Sequence, residues 1–246
     1  MLFDAKVSIV IPAYNEQDDI CPTLARICQF MAQEAPEFEV LLVDDGSTDS
    51  TVETVRACSS GIPQVRIIQN GVNMGKGFSV RSGVLNSTGT YVLMSDADLS
   101  TPIEEVSKLY SYINEYGYSV AMGSRGLKDS DVAIHQPWYR EMMGKTFNLF
   151  VRTLLMGGFR DTQCGFKLFR ADAARSIFER CTIDGFAFDV EAVFIATRLG
   201  YKVKEVPVRW LNSLDSKVRL IIDPAHMFID LFRIRLNAIR GRYRLG

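Results

Sequence analysis

Thr90-Tyr-Val-Leu-Met-Ser-Asp-Ala-Asp-Leu-Ser-Thr-Pro102 decides the fold. Tyr91 to Ser95 is a short, unbroken run of the kind found in strands buried on both faces of a parallel sheet. It ends in two carboxylates, Asp96 and Asp98. In an open α/β sheet ligands bind at the C-terminal edge of the strands. Asp-x-Asp at that edge offers closely placed oxygens to a hard divalent cation carrying a nucleotide diphosphate. By itself the stretch reads equally well as a turn entering a helix near Pro102, because Asp and Ser favour turns and helix N-termini. Its surroundings decide.

Upstream, Val7 to Ile11 reads as a first buried strand, stopped by Pro12-Ala-Tyr-Asn-Glu16. Ile20, Leu24, Ile27 and Met31 follow at helical spacing. Phe38 to Val43 is a second strand, also ending in acids, Asp44-Asp45-Gly46-Ser47, and a helix is predicted from Thr48 to Ser59. Val65 to Gln69 is a third strand, after which Asn73-Met-Gly-Lys-Gly77 opens a helix reaching Asn86. Strands alternating with helices predict a doubly wound, mostly parallel sheet with right-handed crossovers. Three loops then share one edge: 12–16, 44–47 and 96–100. A dinucleotide-binding domain is excluded, since G-x-G-x-x-G is missing after the first strand. A P-loop is excluded by the absence of G-x-x-x-x-G-K-[ST].

Downstream, Met122-Gly-Ser-Arg125 ends a fifth strand. After Pro137-Trp-Tyr-Arg140 a helix carries Phe147, Phe150, Val151, Leu154 and Leu155 on one face, read as core packing in preference to lipid contact. Arg160-Asp-Thr-Gln-Cys-Gly-Phe-Lys-Leu-Phe169, Gly185-Phe-Ala-Phe-Asp-Val-Glu191 and Val203-Lys-Glu-Val-Pro-Val-Arg-Trp210 follow. The tail from Arg219 is basic, with six arginines against Asp223 and Asp230. On a helical projection of residues 227–240, Asp230, Arg233, Asn237 and Arg240 share a polar arc. Met227, Phe228, Leu231, Phe232, Ile234, Leu236, Ala238 and Ile239 fill the remainder, interrupted by Arg235. Such a helix suits an anionic membrane interface, and it could also pack on the domain or form a homodimer.

The chain has 246 residues, enough for a large core. Its formal net charge of -1 argues against a general nucleic-acid binder, which needs a basic face to neutralise phosphates. Five cysteines (21, 28, 58, 164 and 181) show no paired metal spacing and are expected to stay reduced in a cytoplasmic protein. Met1 to Lys6 lead straight into the first strand, so no signal peptide is expected. No apolar run reaches the ~20 residues of a membrane span, so work at a membrane implies either lying on it or having a partner within it, and a peripheral place at the inner face of the cell membrane is expected.

Val7-Ser-Ile-Val-Ile-Pro-Ala-Tyr-Asn-Glu16, Val43-Asp-Asp-Gly-Ser47, Asn73-Met-Gly-Lys-Gly77 and Asp96-Ala-Asp98, in this order, resemble the nucleotide-sugar domain of the family 2, GT-A-fold glycosyltransferases. The resemblance implies an α/β fold, Rossmann-like, with a mostly parallel central sheet flanked by helices, followed by the C-terminal amphipathic helix. It implies that Pro12, Tyr14, Glu16, Val43 and Asp45 line base and ribose. Lys76, Asp96, Ala97 and Asp98 would surround the donor diphosphate, with Asp98, beside Asp96, holding a divalent cation (Mg²⁺ or Mn²⁺). The later segments are similar to the polyprenyl-phosphate branch, and Asp161-Thr-Gln-Cys-Gly-Phe-Lys-Leu-Phe169 looks most like its dolichyl-phosphate β-glucosyltransferases. That branch implies phosphate contacts from Arg125, Arg140 and Lys217, and ordering acids at Asp161 and Asp189. Residues 1–217 would form the glycosyltransferase domain, with a nucleotide-sugar half (1–124) and an acceptor half (125–217), and 218–246 the tail. Two features depart from the branch. Ser100 stands where mannosyltransferases often carry a metal-shell Gln, and the arginine that some place before Ser-Lys has no counterpart unless Arg219 replaces it.

The implied reaction is attack of a polyprenyl phosphate on the anomeric carbon of a nucleotide sugar, UDP-glucose before GDP-mannose. A phosphate monoester has a second pKa of about 6, so it is already a nucleophile at neutral pH. It needs cationic positioning, which arginine supplies. Single displacement would invert the anomeric centre to a β-linked product. A rival enzyme acting on a sugar hydroxyl needs a carboxylate base, for which Asp161, Asp189 and Glu191 are the candidates. A processive synthase is disfavoured, because the Arg209-Trp210 pair has Val206 where Q-x-x-R-W requires Gln. A catalytically silent nucleotide-sugar-binding subunit is the remaining alternative.

Overall fold

The apolar runs become neighbouring parallel strands, β1 (Val7–Ala13), β2 (Phe38–Asp44), β3 (Val65–Gln69) and β4 (Tyr91–Met94). The structure, a computed structural model, describes residues 1–133, 138–211 and 222–244, and only the backbone over 138–141. Beyond β4 the sheet continues through β7 (Lys167–Arg170), β5 (Val120–Ser124) and β8 (Val203–Pro207), in the order β3-β2-β1-β4-β7-β5-β8. β7 runs antiparallel to both its neighbours, and the other pairings are parallel. A small parallel pair, β6 (Asp131–Val132) with β9 (Arg209–Trp210), lies apart.

Successive side chains of a strand point to opposite faces, so both faces of β1 and β4 are apolar and both are covered. Val10, Leu41, Val43, Val92 and Met94 join α3 (Lys76–Leu85), α6 (Ala171–Phe178) and α7 (Phe188–Arg198) in one core. Ile9, Ile11, Leu42, Tyr91 and Leu93 join α1 (Ile20–Glu34) and α4 (Val106–Asn114) in the other. Register fixes the site edge. Pro12 pairs with Val43 and Ala13 with Asp44, while Val10 pairs with Met94, so the strand ends and the loops after them align.

Some expectations change. α2 (Thr51–Cys58) starts at Thr51 rather than Thr48, because Asn15 and Gln17 draw the Thr48 and Ser50 N–H groups across the loop and Asp49 caps Thr51. Cys21 of α1 and Cys58 of α2 form a disulfide, against the expectation that all five thiols stay reduced. The two helices bring these Cα atoms to 6.0 Å, within disulfide span. Cys28, Cys164 and Cys181 are free. The apolar stripe of α5 (Trp138–Leu154) is split, with Phe147 and Val151 buried and Phe150 largely exposed against Phe228.

The C-terminal helix α8 (Ile222–Ile239) packs on the domain, and its polar arc is divided. Asp230 and Asn237 are buried together with Leu231, Ile234 and Ala238. Asn237 Nδ2 donates to Thr182 Oγ1 (3.0 Å) and Tyr243 Oη (3.2 Å), and these partners draw it inward. Ile229, Phe232, Leu236 and Ile239 are exposed, beside exposed Arg233, Arg235 and Arg240. Among the described residues no helix is long and apolar enough to cross a membrane.

Candidate active site

The end of β4 carries the acids in a tight turn. Leu99 adopts φ 47°, a left-handed conformation costly for a branched side chain and typical of functional turns. Ser100 steadies the turn, its N–H donating to Asp98 Oδ1 (2.9 Å) and its hydroxyl to Asp98 Oδ2 (2.8 Å). Thr23 of α1 donates to the Ala97 carbonyl (2.6 Å), and Leu211 N–H to that of Ser100 (2.7 Å). Asp98 is an exposed residue, yet the protein around its carboxyl group partly desolvates it, and with the negative charge of Asp96 this pushes it above its usual range. Burial would raise Asp96 as well, but the charges of Lys76, Lys167 and Arg125 hold it low. Lys76 Nζ lies 2.7 Å from Asp96 Oδ1. Burial opposes its charge, and Asp96, Asp189 and Asp98 outweigh that and raise its pKa. Thus Asp96, Asp98, Lys76 and Arg125 form one electrostatic cluster.

On the nucleotide side, the loops after β1 and β2 are laced together. Asn15 N–H donates to Ser47 Oγ (2.9 Å) and Glu16 N–H to Thr51 Oγ1 (2.8 Å). Pro12 and Val43 are buried partners in the sheet, and Tyr14 is half-buried just beyond β1. Asp45 has a definite task. Its Oδ1 accepts from Met74 N–H and Asn70 Nδ2, and its Oδ2 from Gly75 N–H, each at 2.9 Å. Asp45 therefore anchors the loop that delivers Lys76. Gly75 takes φ 99° there, and a Cβ on it would strike the Asp184 carbonyl, so this glycine is required by both backbone and space.

On the other flank, Arg125 Nε and Nη2 donate to Asp161 Oδ2 (2.7 Å) and Oδ1 (3.0 Å), and its N–H donates to Oδ2 (3.0 Å). The guanidinium lies over the Trp210 ring. Burial would raise the Asp161 carboxyl, yet Arg125 holds it at about 2. Glu205 in turn secures Arg160 and Asp161 through their N–H groups, and takes the Ser124 hydroxyl (2.6 Å). Arg140 lies in the first turn of α5, but its side chain, like the whole of Lys217 and Arg219, lies outside the described residues.

The three candidate bases are all committed. Asp161 belongs to Arg125. Asp189 is paired with Lys167, which is 1% exposed and also donates to the Cys164 carbonyl (2.6 Å). Burial raises the Asp189 carboxyl, with Lys167 and Lys76 opposing. Glu191, 0% exposed, accepts from Thr182 N–H and Oγ1, Ile183 N–H and Tyr243 Oη, and it holds α8 to the body. The roles of Glu205 and Lys167 carry no sequence signal, since their partners are far along the chain or on other elements. Ser100 had one, the Asp-x-Ser spacing by which a carboxylate bonds the backbone two residues on.

Among the described residues no group of three or more His, Cys, Asp or Glu is arranged to hold a metal. Asp96 and Asp98 alone would fill only part of the oxygen shell of a hard divalent cation.

A dolichyl-phosphate beta-glucosyltransferase of Dictyostelium discoideum is 34% identical over 250 residues, covering 97% of this chain and 76% of the relative. One from Trichomonas vaginalis is 37% identical over 239 residues, covering 93% and 70%. The Homo sapiens enzyme of that name is 32% identical, covering 98% and 78%. Among solved structures, glucosyl-3-phosphoglycerate synthase from Mycobacterium tuberculosis, crystallised with Mn²⁺, UDP-glucose and phosphoglyceric acid, superimposes with a TM-score of 0.71 at 17% identity, covering 99% of this chain and 81% of that one. Mannosyl-3-phosphoglycerate synthase from Rubrobacter xylanophilus gives 0.70 at 17% identity, covering 98% and 76%. At that identity the structures speak for the fold alone. The profile of glycosyl transferase family 2 matches residues 8–178, and with the relatives above this establishes that the chain belongs to that family.

Proposed function

We propose that this enzyme transfers glucose from UDP-glucose to a polyprenyl phosphate, with inversion, giving a β-linked lipid-phosphate glucose. One observation carries the choice of acceptor: Asp161, Asp189 and Glu191, the carboxylates a hydroxyl acceptor would need as base, are all engaged by cations or donors. A phosphate acceptor asks for no base. It asks for positive charge, and Arg125 has three of its five guanidinium N–H groups beyond those given to Asp161.

In this reading Pro12, Tyr14, Glu16 and Val43 flank base and ribose in the half formed by residues 1–124, and Asp45 serves them by fixing the Lys76 loop. Lys76 orients the donor diphosphate. Arg125, with Arg140 and Lys217, holds the acceptor phosphate in the half formed by 125–217. Asp98, steadied by Ser100, and Asp96 would hold a divalent cation, Mg²⁺ or Mn²⁺. The donor set fits: partial desolvation and the charge of Asp96 raise the pKa of the Asp98 carboxyl, and both carboxylates would gain from the positive charge of a hard cation. Such a cation supplies positive charge to the leaving diphosphate. The dry floor beneath, with Lys167 and Asp189, strengthens these charges by excluding water.

The acceptor is lipid-borne, and the outward face of α8 offers Phe232 and Ile239, 61% and 70% exposed, among arginines. We place this face on an anionic membrane surface, at the inner side of the cell membrane, as a peripheral contact. Pure protein is incubated with Mn²⁺ or Mg²⁺, a polyprenyl phosphate and, in separate tubes, UDP-glucose or GDP-mannose, and glycolipid is read by mass spectrometry. Product with UDP-glucose, lost in Asp98→Ala, is the expected result. Product only with GDP-mannose overturns the donor, and an α-linked product or a covalent glycosyl-enzyme overturns the single displacement.

A further inference from the structure

β4 and β7 are antiparallel, with Met94 opposite Lys167 and Leu93 opposite Leu168. Following that register past the end of β4 brings Asp96 to Gly165. The contact is close. A Cβ built on Gly165 would lie less than 3.0 Å from all three atoms of the Asp96 carboxyl group. The group therefore rests where any side chain at 165 would begin. Gly165 is not among the residues of positive φ, so its own backbone does not demand glycine. In this it differs from Gly75. The demand comes from Asp96.

The turn that presents Gly165 is itself fixed. Lys167 Nζ donates to the Cys164 carbonyl and pairs with Asp189, both side chains being buried. Gly123 and Thr101 pack around Cys164 Sγ. The floor cannot retreat easily, whereas an Asp carboxylate can swing about its χ angles. A Cβ at 165 would thus move the carboxylate and leave the fold intact.

We propose that Gly165 is a positioning residue for the donor site: the space left by its missing side chain seats the Asp96 carboxylate beside Lys76 and Asp98. This rests on the assignment of Asp96 to the donor diphosphate and its cation. Supporting groups one layer behind a metal site typically change affinity by about 10- to 100-fold when altered. Gly165→Ala is expected to weaken Mn²⁺-dependent UDP binding by about that factor, while its melting temperature and the KM for polyprenyl phosphate stay near those of the parent.

The test is a double-mutant cycle in the full chain, with UDP titrated calorimetrically at fixed Mn²⁺ into the parent, Gly165→Ala, Asp96→Ala and the double variant. If Gly165 acts through Asp96, its substitution costs affinity in the parent and nothing further once residue 96 is Ala. Equal losses in both backgrounds overturn the proposal, as does parental binding by Gly165→Ala when Asp96→Ala is impaired. Parental binding by Asp96→Ala means that the donor-site assignment itself has failed. Should Gly165→Ala not fold, recovery of folding in the double variant supports the steric seat, and failure to recover overturns it.

Discussion

Arg125 and Asp161 are joined by three hydrogen bonds, two from the guanidinium and one from the Arg125 backbone N–H, so the side chain is held in one direction, which on the proposed function aims it before a phosphate arrives. Pre-aiming matters because a mobile arginine would lose rotamer freedom on binding. Asp161→Asn keeps the shape but removes the charge. We expect it to raise the KM for lipid phosphate by about tenfold, the worth of one charge-assisted hydrogen bond, and to leave the KM for the donor unchanged. Steady-state kinetics on both substrates checks this, and a shift confined to the donor would contradict it.

The same pair predicts a pH dependence of stability. Asp161 sits at about 2 when folded, against an ordinary value of about 3.9. A depressed folded-state pKa contributes stability that is fully present above the unfolded value and is lost as pH falls through the folded one. The window is therefore between about pH 4 and pH 2, and the contribution is on the order of 2 kcal/mol. Thermal melts across that range should fall more steeply for the parent than for Asp161→Asn. Parallel curves would show that the pair does not act this way.

Much of this arrangement was legible in the sequence, for identifiable reasons. β1, β2 and β4 declare themselves because strands covered on both faces need unbroken apolar runs, and Asp45, Asp96 and Asp98 follow from where those runs stop. β7 hides, since its first residue is Lys167, a buried polar side chain that is matched by Asp189 of α7 and by the Cys164 carbonyl. The seat of Asp96 on Gly165 needs the antiparallel register, which no local pattern supplies. On the tail, helical spacing gives the two arcs of α8 but not which one faces the body. Thr182 and Tyr243 decide that by bonding Asn237.

Lys76 is the next test. Its ammonium pairs with Asp96 at 2.7 Å and is delivered by a loop that Asp45 anchors through Met74 and Gly75. Lys76→Met removes the charge and keeps most of the volume. Hydrogen bonds to charged groups are worth about 1.5–3 kcal/mol, or roughly 10- to 100-fold, and the donor KM should rise within that range. Asp45→Ala should raise it as well, by releasing the loop. An Asp45→Ala enzyme with parental donor KM would leave Asp45 no positioning role.

Ser100 bears on the metal. With its N–H and hydroxyl both on Asp98, it orients the carboxylate rather than needing to reach an ion itself. Ser100→Ala keeps the backbone bond and loses the other. The Mn²⁺ concentration for half-maximal activity should rise by up to about tenfold, the lower end for groups supporting a metal ligand. Saturating Mn²⁺ should restore the rate. A loss that saturating metal does not restore would place Ser100 in contact with substrate instead.

The two faces of α8 give opposite phenotypes. Leu231 and Ile234 are fully buried, and Tyr243 donates to the buried Glu191 carboxylate. Removing 226–246 would therefore unsettle the domain along with any surface property. Tyr243→Phe, which deprives Glu191 of one donor, is expected to cost about 1–3 kcal/mol. Phe232→Glu with Ile239→Glu changes only exposed positions, so stability should hold within about 0.5 kcal/mol. Binding to vesicles containing anionic lipid should nonetheless fall sharply, because each change removes apolar contact and adds a like charge. Co-sedimentation with such vesicles, beside melts of the same samples, separates the two. Undiminished sedimentation by the double glutamate variant would remove α8 from the membrane contact, and a change in its oligomeric state instead would assign the face to a second copy of the chain.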